Sequence, residues 1–304
     1  MEKIHIMTKD AFHNRGISIL ENIGEICENF SINKREDITI LIVGLDKKID
    51  FKILDLYPNL KLIASPTTGL DHIDVDETNL RGIKIISLKG ERSFLETLSS
   101  TAELAFGLII SLSRNFFPAQ KAVLEGQWNR SSFVGNTLRG KTLGVIGKGR
   151  LGEMVINYGK SFGMKTFFND TKVKGGIKLE NLLSISDFIS LHVPLNKSTS
   201  FLINDKSFKL MKPNAYLINT SRGKIVDEIA LISALESKHI SGYGTDVISD
   251  EFLSNTEDSL LIKYARENPN VVITPHIGGM TVESRKDTDI FIAKKIETFL
   301  KKNI

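Results

Sequence analysis

The chain has 304 residues, 41% of them hydrophobic and 25% charged. That is an ordinary globular composition, and the length suggests two domains, each able to bury its own core. The formal net charge is +4, but the basic residues are scattered, with only pairs such as Lys47-Lys48 and Lys301-Lys302. This excludes a nucleic-acid tract and leaves a mild positive balance that suits small anionic ligands.

In chain order, Lys3–Thr8 reads as a strand and Arg15–Ile23 as a helix. Ile38–Val43 is a buried-type strand rich in β-branched residues, and Phe51–Leu56 is a short helix ended by Pro58. Leu60–Ala64 is a strand that runs into the loop Ser65-Pro66-Thr67-Thr68-Gly69. Val75–Leu80 reads as a helix and Ile83–Ser87 as a strand. A long apolar segment from Ser99 to Phe117 suits a buried helix between domains, and Pro118–Trp128 a further helix. The next strand, Leu143–Ile146, opens Gly147-Lys148-Gly149-Arg150-Leu151-Gly152, followed by a helix over Glu153–Phe162 and a strand over Lys165–Phe168.

The alternation then resumes, with helices over Lys178–Ser184, Asp205–Met211, Asp227–Ser237 and Leu260–Arg266. Strands fall over Phe188–Val193, Ala215–Asn219, Gly242–Val247 and Val271–Thr274, and Thr281–Leu300 closes the chain as a helix. Repeated β-α alternation argues for an α/β fold of two doubly wound parallel sheets with helices on both faces.

The single cysteine, Cys27, excludes an intrachain disulfide and fits a cytoplasmic setting. Charges within Met1–Asp10 argue against a signal peptide. The longest apolar run, Leu104–Leu112, is interrupted by Gly107 and falls short of the roughly 20 residues that span a bilayer. No membrane or nucleic-acid partner is expected.

A G-x-G-x-x-G alone is a weak signal. Here it follows a strand, opens a helix, and precedes a second strand that ends at Asp170. Gly147 permits the tight turn, Gly149 lets a pyrophosphate approach the backbone, and Gly152 lets the helix pack on the sheet. The helix N-terminus offers N–H groups and a positive dipole end to phosphates. Asp170 can accept hydrogen bonds from an adenosine ribose.

Ligands of doubly wound sheets sit at the carboxyl ends of the strands. Arg222 follows one expected strand, Glu251 lies just beyond Asp246 at the end of another, and His276 follows a third. Arg222 can hold a carboxylate in a two-pronged geometry. His276 can move a proton to or from a hydroxyl group. Glu251 can fix the tautomer of His276 and stabilise its protonated form. Asp250, Glu257 and Asp258 are nearby carboxylates that compete for that role. His72 reads as packing, while His5, His13 and His239 read as surface residues. Ser113 and Ser221 have no histidine placed to activate them, and no His/Cys cluster has metal-ligand spacing.

Several motifs in order carry a wider resemblance. They are T-T-G-L-D-H-I-D (67–74), T-A-E (101–103), G-K-G-R-L-G (147–152) and D-F-I-S-L-H-V-P-L (187–195). M-K-P-N-A-Y-L-I-N-T-S-R-G (211–223), T-D-V (245–247) and T-P-H-I-G-G (274–279) follow. From about Ile38 to Thr281 the chain resembles the D-isomer-specific 2-hydroxyacid dehydrogenases, which include phosphoglycerate, glycerate and formate dehydrogenases.

The resemblance implies a Rossmann NAD-binding domain, residues 100–281, inserted in a flavodoxin-like substrate domain, residues 1–99 plus 282–304. It implies Arg222, Glu251 and His276 as catalytic residues. Cofactor-binding positions would be Gly147, Gly149, Arg150, Leu151, Gly152 and Asp170, with His192, Val193, Pro194, Thr220, Ser221, Asp246 and Gly278. Asp246 would orient the nicotinamide carboxamide, and Thr68 and Gly69 would hold the substrate carboxylate.

The implied activity interconverts a D-2-hydroxy acid and a 2-keto acid with NAD, in a homodimer built through the cofactor domain. The stretch 252–270 departs from the family, whose glutamate is often followed by a proline-rich loop. A formate dehydrogenase partners its histidine with Gln, so Glu251 counts against that activity. A non-catalytic NAD(H)-sensing protein on the same scaffold is the rival of another class, and the three catalytic residues argue against it.

Overall fold

The structure is a computed structural model that describes residues 2–7, 12–27, 32–252 and 256–303. Thr8, the expected end of the first strand, and residues 253–255 of the stretch after Glu251 lie outside the described residues. In chain order the elements begin β1 (Glu2–Ile6), α1 (Asn14–Glu21), β2 (Gly24–Ile26), β3 (Ile40–Ile42), α2 (Phe51–Leu54) and β4 (Leu62–Ser65). Next come α3 (Val75–Leu80), β5 (Lys84–Ser87), α4 (Arg92–Leu95), α5 (Ser100–Ser113), α6 (Phe116–Leu124), β6 (Thr142–Ile146), α7 (Arg150–Ser161) and β7 (Lys165–Asn169). Then follow α8 (Leu179–Ile185), β8 (Phe188–Leu191), α9 (Asp205–Leu210), β9 (Ala215–Asn219), α10 (Glu228–Glu236) and β10 (Ile240–Thr245). The last are α11 (Leu260–Glu267), β11 (Val271–Ile273) and α12 (Val282–Asn303).

The chain forms two compact units, one of residues 1–98 with 280–304 and one of residues 99–279. The first holds a parallel sheet in the order β2-β1-β3-β4-β5. Successive side chains of a strand face opposite sides. Ile40 and Ile42 accordingly join a core with Leu20 of α1 and Ile292 and Ile296 of α12, while Leu41 and Val43 join another with Leu54 and Tyr57. Both faces of β3 are buried, which is why its sequence is uniformly apolar. Asp74 caps α3 by accepting a hydrogen bond from the Glu77 N–H.

The second unit holds a six-stranded parallel sheet in the order β11-β10-β9-β8-β6-β7. Its faces divide in the same way. Leu217 packs with Leu231 and Leu235 of α10, and Ile218 packs with α5 and with Val155 of α7. The order reverses at β6, whose neighbours β7 and β8 lie on opposite sides, so the ligand crevice of such a sheet falls at the end of β6.

The membrane argument from the sequence needs correction. Arg92–Ser113 is long and apolar enough to cross a membrane by length and composition, although residues 96–99 separate α4 from α5 within it, and Gly107 lies inside α5 without breaking it. The apolar side chains of α5 are packed instead. Ala102, Ala105, Leu108, Ile109 and Leu112 are buried in the core of the second unit.

Other differences are local. β2 was not expected, because a three-residue edge strand that contains Gly24 and Glu25 carries no alternating pattern. α5 stops at Ser113 rather than Phe117, since Asn115 takes a left-handed conformation with φ 52° before α6. α7 begins at Arg150, inside the glycine motif, rather than at Glu153.

Candidate active site

In the second unit all strands run in parallel, so the segments after β6, β8, β9, β10 and β11 leave from the same edge of the sheet. After β6, Gly147 has φ +92°, and a Cβ there would lie 2.6 Å from the carbonyl oxygen of His192. Glycine is therefore required both by the dihedral and by the approach of β8. A Cβ on Gly152 would lie 2.0 Å from the Gly147 carbonyl oxygen, so the first turn of α7 rests directly on the turn from β6. Gly149 differs, because a Cβ there would meet nothing within 4 Å. It is the N-cap of α7 and no side chain caps that end. Open backbone at an uncapped helix N-terminus, begun by Arg150 and Leu151, is what a pyrophosphate needs.

Asp170 follows β7 and faces this turn. Its carboxylate accepts hydrogen bonds from the backbone N–H groups of Lys148 at 2.8 Å, Lys172 at 2.7 Å and Val173 at 3.1 Å. Burial pushes its pKa up, but the three N–H donors outweigh burial and hold the carboxyl below its ordinary value.

After β8, His192 is held by Ser190, whose hydroxyl lies 2.8 Å from Nε2. Burial lowers its pKa to about 4, so the ring is neutral at physiological pH. Its Nδ1 is buried with no partner among the described residues, and so is Oγ1 of Thr220, after β9. Val193 packs against Gly147 from the same segment, and Pro194 follows it with its carbonyl accepting from the Thr199 hydroxyl.

After β9, Ser221 donates its hydroxyl to the Leu191 carbonyl at 2.6 Å, which ties the β9 turn to β8. Arg222 is partly buried. Its Nη1 donates to the Ser221 carbonyl at 2.7 Å, and its own carbonyl accepts from Nδ2 of Asn219 at 2.9 Å.

After β10, the buried Asp246 accepts the Thr274 hydroxyl at 2.5 Å, the Ile277 N–H at 2.8 Å and the Gly278 N–H at 2.7 Å. Burial raises its pKa, and these donors with the neighbouring His276 only partly offset that. His276, after β11, has φ 54°, a left-handed conformation rare for a residue with a side chain. Its Nδ1 lies 2.9 Å from Oε2 of Glu251, and both side chains are largely shielded.

Two of the three competing carboxylates go elsewhere: Glu257 faces Arg266 at 3.8 Å and Asp258 faces Lys263 at 3.5 Å. The structure thus brings Glu251 and His276 together and sets Arg222 on the adjoining strand β9.

Thr68 and Gly69 belong to the first unit, in the loop after β4. There Thr67 donates its hydroxyl to the Gly69 carbonyl at 2.8 Å, and buried His72 lies 3.2 Å from the Ser65 hydroxyl. The three histidines read as surface residues have partners as well. His5 is half-buried against the Tyr57 hydroxyl at 2.9 Å, with its pKa lowered to about 4 by burial and by Arg35 and Lys47. His13 caps α1, and His239 lies 3.1 Å from the Met211 carbonyl. Sequence reasoning missed Glu228, which accepts a hydrogen bond from the Ser249 N–H at 2.8 Å.

Residues 106–278 match the family model for the D-isomer specific 2-hydroxyacid dehydrogenase NAD binding domain. The glyoxylate reductase of Thermococcus litoralis is 39% identical, with 90% of this chain and 84% of that one covered. The D-3-phosphoglycerate dehydrogenase of Methanocaldococcus jannaschii is 33% identical, with 98% of this chain and 58% of that one covered. The crystal structure of D-lactate dehydrogenase from Aquifex aeolicus, complexed with NAD and lactic acid, superimposes with a TM-score of 0.83 at 31% identity, with 99% and 96% covered. The family model spans more than half of the chain and covers the glycine turn, the Arg222 turn and the Glu251–His276 pair. The chain therefore belongs to the D-isomer-specific 2-hydroxyacid dehydrogenases and is an NAD-dependent oxidoreductase of that family.

Proposed function

We propose that the enzyme interconverts a short, unphosphorylated D-2-hydroxy acid and its 2-keto acid, of the glyoxylate, hydroxypyruvate or pyruvate kind. The observation that carries this is the 2.9 Å contact between Glu251 and His276 at the strand-end edge of the cofactor-binding sheet. The residues present fit a dinucleotide. Gly149 leaves open space at an uncapped helix N-terminus, and His192 Nδ1 and Thr220 Oγ1 are buried polar atoms without partners. Gly147 through Gly152 would hold the pyrophosphate, Asp170 the ribose, and the segments at His192–Pro194, Thr220–Ser221, Asp246 and Gly278 the rest of the pocket. When bound, the reduced nicotinamide supplies a hydride for the carbonyl carbon.

Arg222 binds the substrate carboxylate through its planar fork, which fixes the carbonyl in one pose. His276 gives its proton to the carbonyl oxygen during reduction and takes it back during oxidation. Glu251 holds Nδ1, which leaves Nε2 as the proton-carrying atom. Steady NADH oxidation with a panel of 2-keto acids tests the proposal. Dinucleotide binding without turnover on any of them would favour the sensing protein instead.

Phe116, Phe117, Leu124, Trp128 and Val134 are exposed within 20 residues of one another, Trp128 to 88%. Such a patch marks an interaction surface, and we assign it to a second copy of this chain. Sedimentation of the purified protein as a monomer would overturn the homodimer. The single cysteine supports a cytoplasmic setting.

A further inference from the structure

We propose that Glu228 is a positioning residue: from the first turn of α10 it holds the segment that carries Glu251, and so keeps Glu251 on His276. The inference rests on the catalytic reading of those two residues given above.

The segment from Asp246 to Glu251 leaves β10 and needs an external support, because the strand ends at Thr245. Three contacts supply it. Near the start, Thr245 Oγ1 accepts the Val247 N–H at 3.1 Å and closes a tight turn. In the middle, the backbone of Ile248 and Ser249 lies directly on Gly223. A Cβ there would come within 2.0 Å of the Ile248 carbonyl carbon and 2.3 Å of the Ser249 nitrogen. Gly223 is the neighbour of Arg222, so this contact sets the Glu251 segment against the arginine turn. Beyond that point the backbone is held by Glu228, whose Oε1 accepts the Ser249 N–H at 2.8 Å. Glu251 lies two residues further on and meets Nδ1 of His276 at 2.9 Å.

A backbone N–H bound to a carboxylate makes one of the stronger hydrogen bonds of a protein. Glu228 also sits at a helix N-terminus, where the dipole favours its negative charge. The position is costly nonetheless. Burial pushes the Glu228 carboxyl up, and the neighbouring carboxylates of Asp250 and Asp227 push in the same direction, while Ser249 pulls it back. From β10, the buried Tyr243 phenol is the other titratable group that faces it. Asp227 already caps α10 by accepting from Ile229 and Ala230. Glu228 is therefore not needed as the cap, and its hydrogen bond serves the Ser249 segment.

The test measures keto-acid reduction against pH in Glu228→Ala, Glu228→Gln and Glu251→Gln, and in the double variant of Glu228→Ala with Glu251→Gln. Glu228→Ala is expected to lower kcat by about tenfold and to move the pH profile of reduction in the same direction as Glu251→Gln does. NADH affinity should stay within about twofold. Glu228→Gln keeps an acceptor for the Ser249 N–H and should retain the wild-type pH profile. In the Glu251→Gln background, Glu228→Ala should add no further movement. If Glu251→Gln moves the profile and Glu228→Ala does not, the positioning role is overturned while the catalytic pair stands. If Glu228→Gln moves the profile as far as Glu228→Ala, charge rather than support is at work and the proposal is overturned. If Glu251→Gln moves nothing, the catalytic reading fails and this inference falls with it. Should Glu228→Ala fail to fold, Glu228→Asp replaces it. That variant keeps the charge but not the reach, and the same movement as in Glu251→Gln is expected of it.

Discussion

The carboxylate of Asp246 is folded into the backbone around His276. The His276 N–H donates to the Asp246 carbonyl at 2.9 Å, and the next two N–H groups, of Ile277 and Gly278, donate to the Asp246 side chain. A left-handed residue with a side chain is held only where its surroundings over-determine it, and Asp246 supplies that here. Gly278 has no room for more, since a Cβ would lie 3.0 Å from Asp246 Oδ2.

Asp246→Ala should therefore act on His276 rather than only on the cofactor. It strands buried donors at about 1–3 kcal/mol each and frees the histidine backbone. A displacement of about 1 Å at a catalytic group costs on the order of 10²-fold in rate, and that loss is expected in kcat. Kinetics in which only the KM for NADH changed would show that Asp246 does not support His276.

His276→Ala should cut turnover by about 10²- to 10⁴-fold with NADH binding largely intact, as read by fluorescence titration. Glu251→Gln should act through His276 and change the pH profile of reduction, because it removes the carboxylate that meets Nδ1 at 2.9 Å. Near-normal turnover in the first variant would remove His276 from the reaction. An unchanged profile in the second would remove Glu251 as its partner.

Asp170 should favour NADH over NADPH. Its carboxylate is pinned toward the glycine turn by three backbone N–H groups, so it cannot swing away from a 2′-phosphate without losing them. Two unit charges about 4 Å apart interact by up to roughly 4 kcal/mol at an effective dielectric near 20, and solvent reduces this. Lys148 does not offset it freely. It is paired with Glu153 at 3.2 Å and lies 4.6 Å from the Phe168 ring centroid. Equal kcat/KM for the two cofactors would contradict this account, and Asp170→Ala should narrow the preference.

The strand-end residues were legible in the sequence because parallel strands buried on both faces leave continuous apolar runs, and chemistry gathers where those runs stop. Arg222 and His276 could be named that way, and the T-P-H-I-G-G and N-T-S-R-G contexts sharpened them. Glu228 could not. Its hydrogen bond joins a helix to a backbone N–H 21 residues away, and nothing in a local pattern marks a side chain that serves distant backbone. The same holds for Asp246, whose type and place were visible but whose grip on His276 was not. The start of α7 was misplaced for another reason. Glycine argues for a loop by propensity, yet Gly152 is helical because only glycine permits contact with the Gly147 carbonyl.

Asp289 predicts an acid-favoured stability in the first unit. It is fully buried on α12, where Oδ2 accepts the His13 N–H at 2.9 Å and lies 3.4 Å from Arg285, while Oδ1 has no partner among the described residues. Burial raises its pKa from 3.8 to about 6, with Arg285 and His13 opposing. The folded state therefore holds the proton more tightly than the unfolded chain. The stabilisation is fully present below about pH 4 and is lost as pH rises through about 6, by about 3 kcal/mol at 1.36 kcal/mol per pH unit. Asp289→Asn keeps an acceptor for His13 and removes the charge. Denaturant unfolding should show the variant gaining on wild type as pH rises from 4 to 7. Parallel curves across that range would mean that the buried carboxyl is not protonated near pH 6.

The last prediction concerns the far end of the substrate. A phosphorylated 2-hydroxy acid would bring a dianion that must be stripped of water, and it gains little without fixed cationic partners. Forked guanidinium groups hold a phosphate in one pose better than flexible ammonium groups do. The strand-end loops of the first unit contain no arginine from Ile42 to Lys48 or from Ile63 to Gly69. A small hollow at the carboxyl ends of β1 and β3 is lined by Met7, Val43, Gly44, Asp46, Lys47 and Ile49. Among these described residues the one ammonium group, of Lys47, shares the lining with the Asp46 carboxylate, which would repel a phosphate. Arg92, at the start of α4, is the next arginine along the chain after Arg81. In the structure it is 91% exposed and paired with Glu96 at 3.2 Å on α4. Hydroxypyruvate or glyoxylate should therefore be reduced with a kcat/KM at least about tenfold above that of phosphohydroxypyruvate, a difference of about 1.4 kcal/mol. The comparison is direct, because hydroxypyruvate and phosphohydroxypyruvate differ only in the phosphate, and a higher kcat/KM for the phosphorylated compound would show that the missing arginines do not decide the substrate.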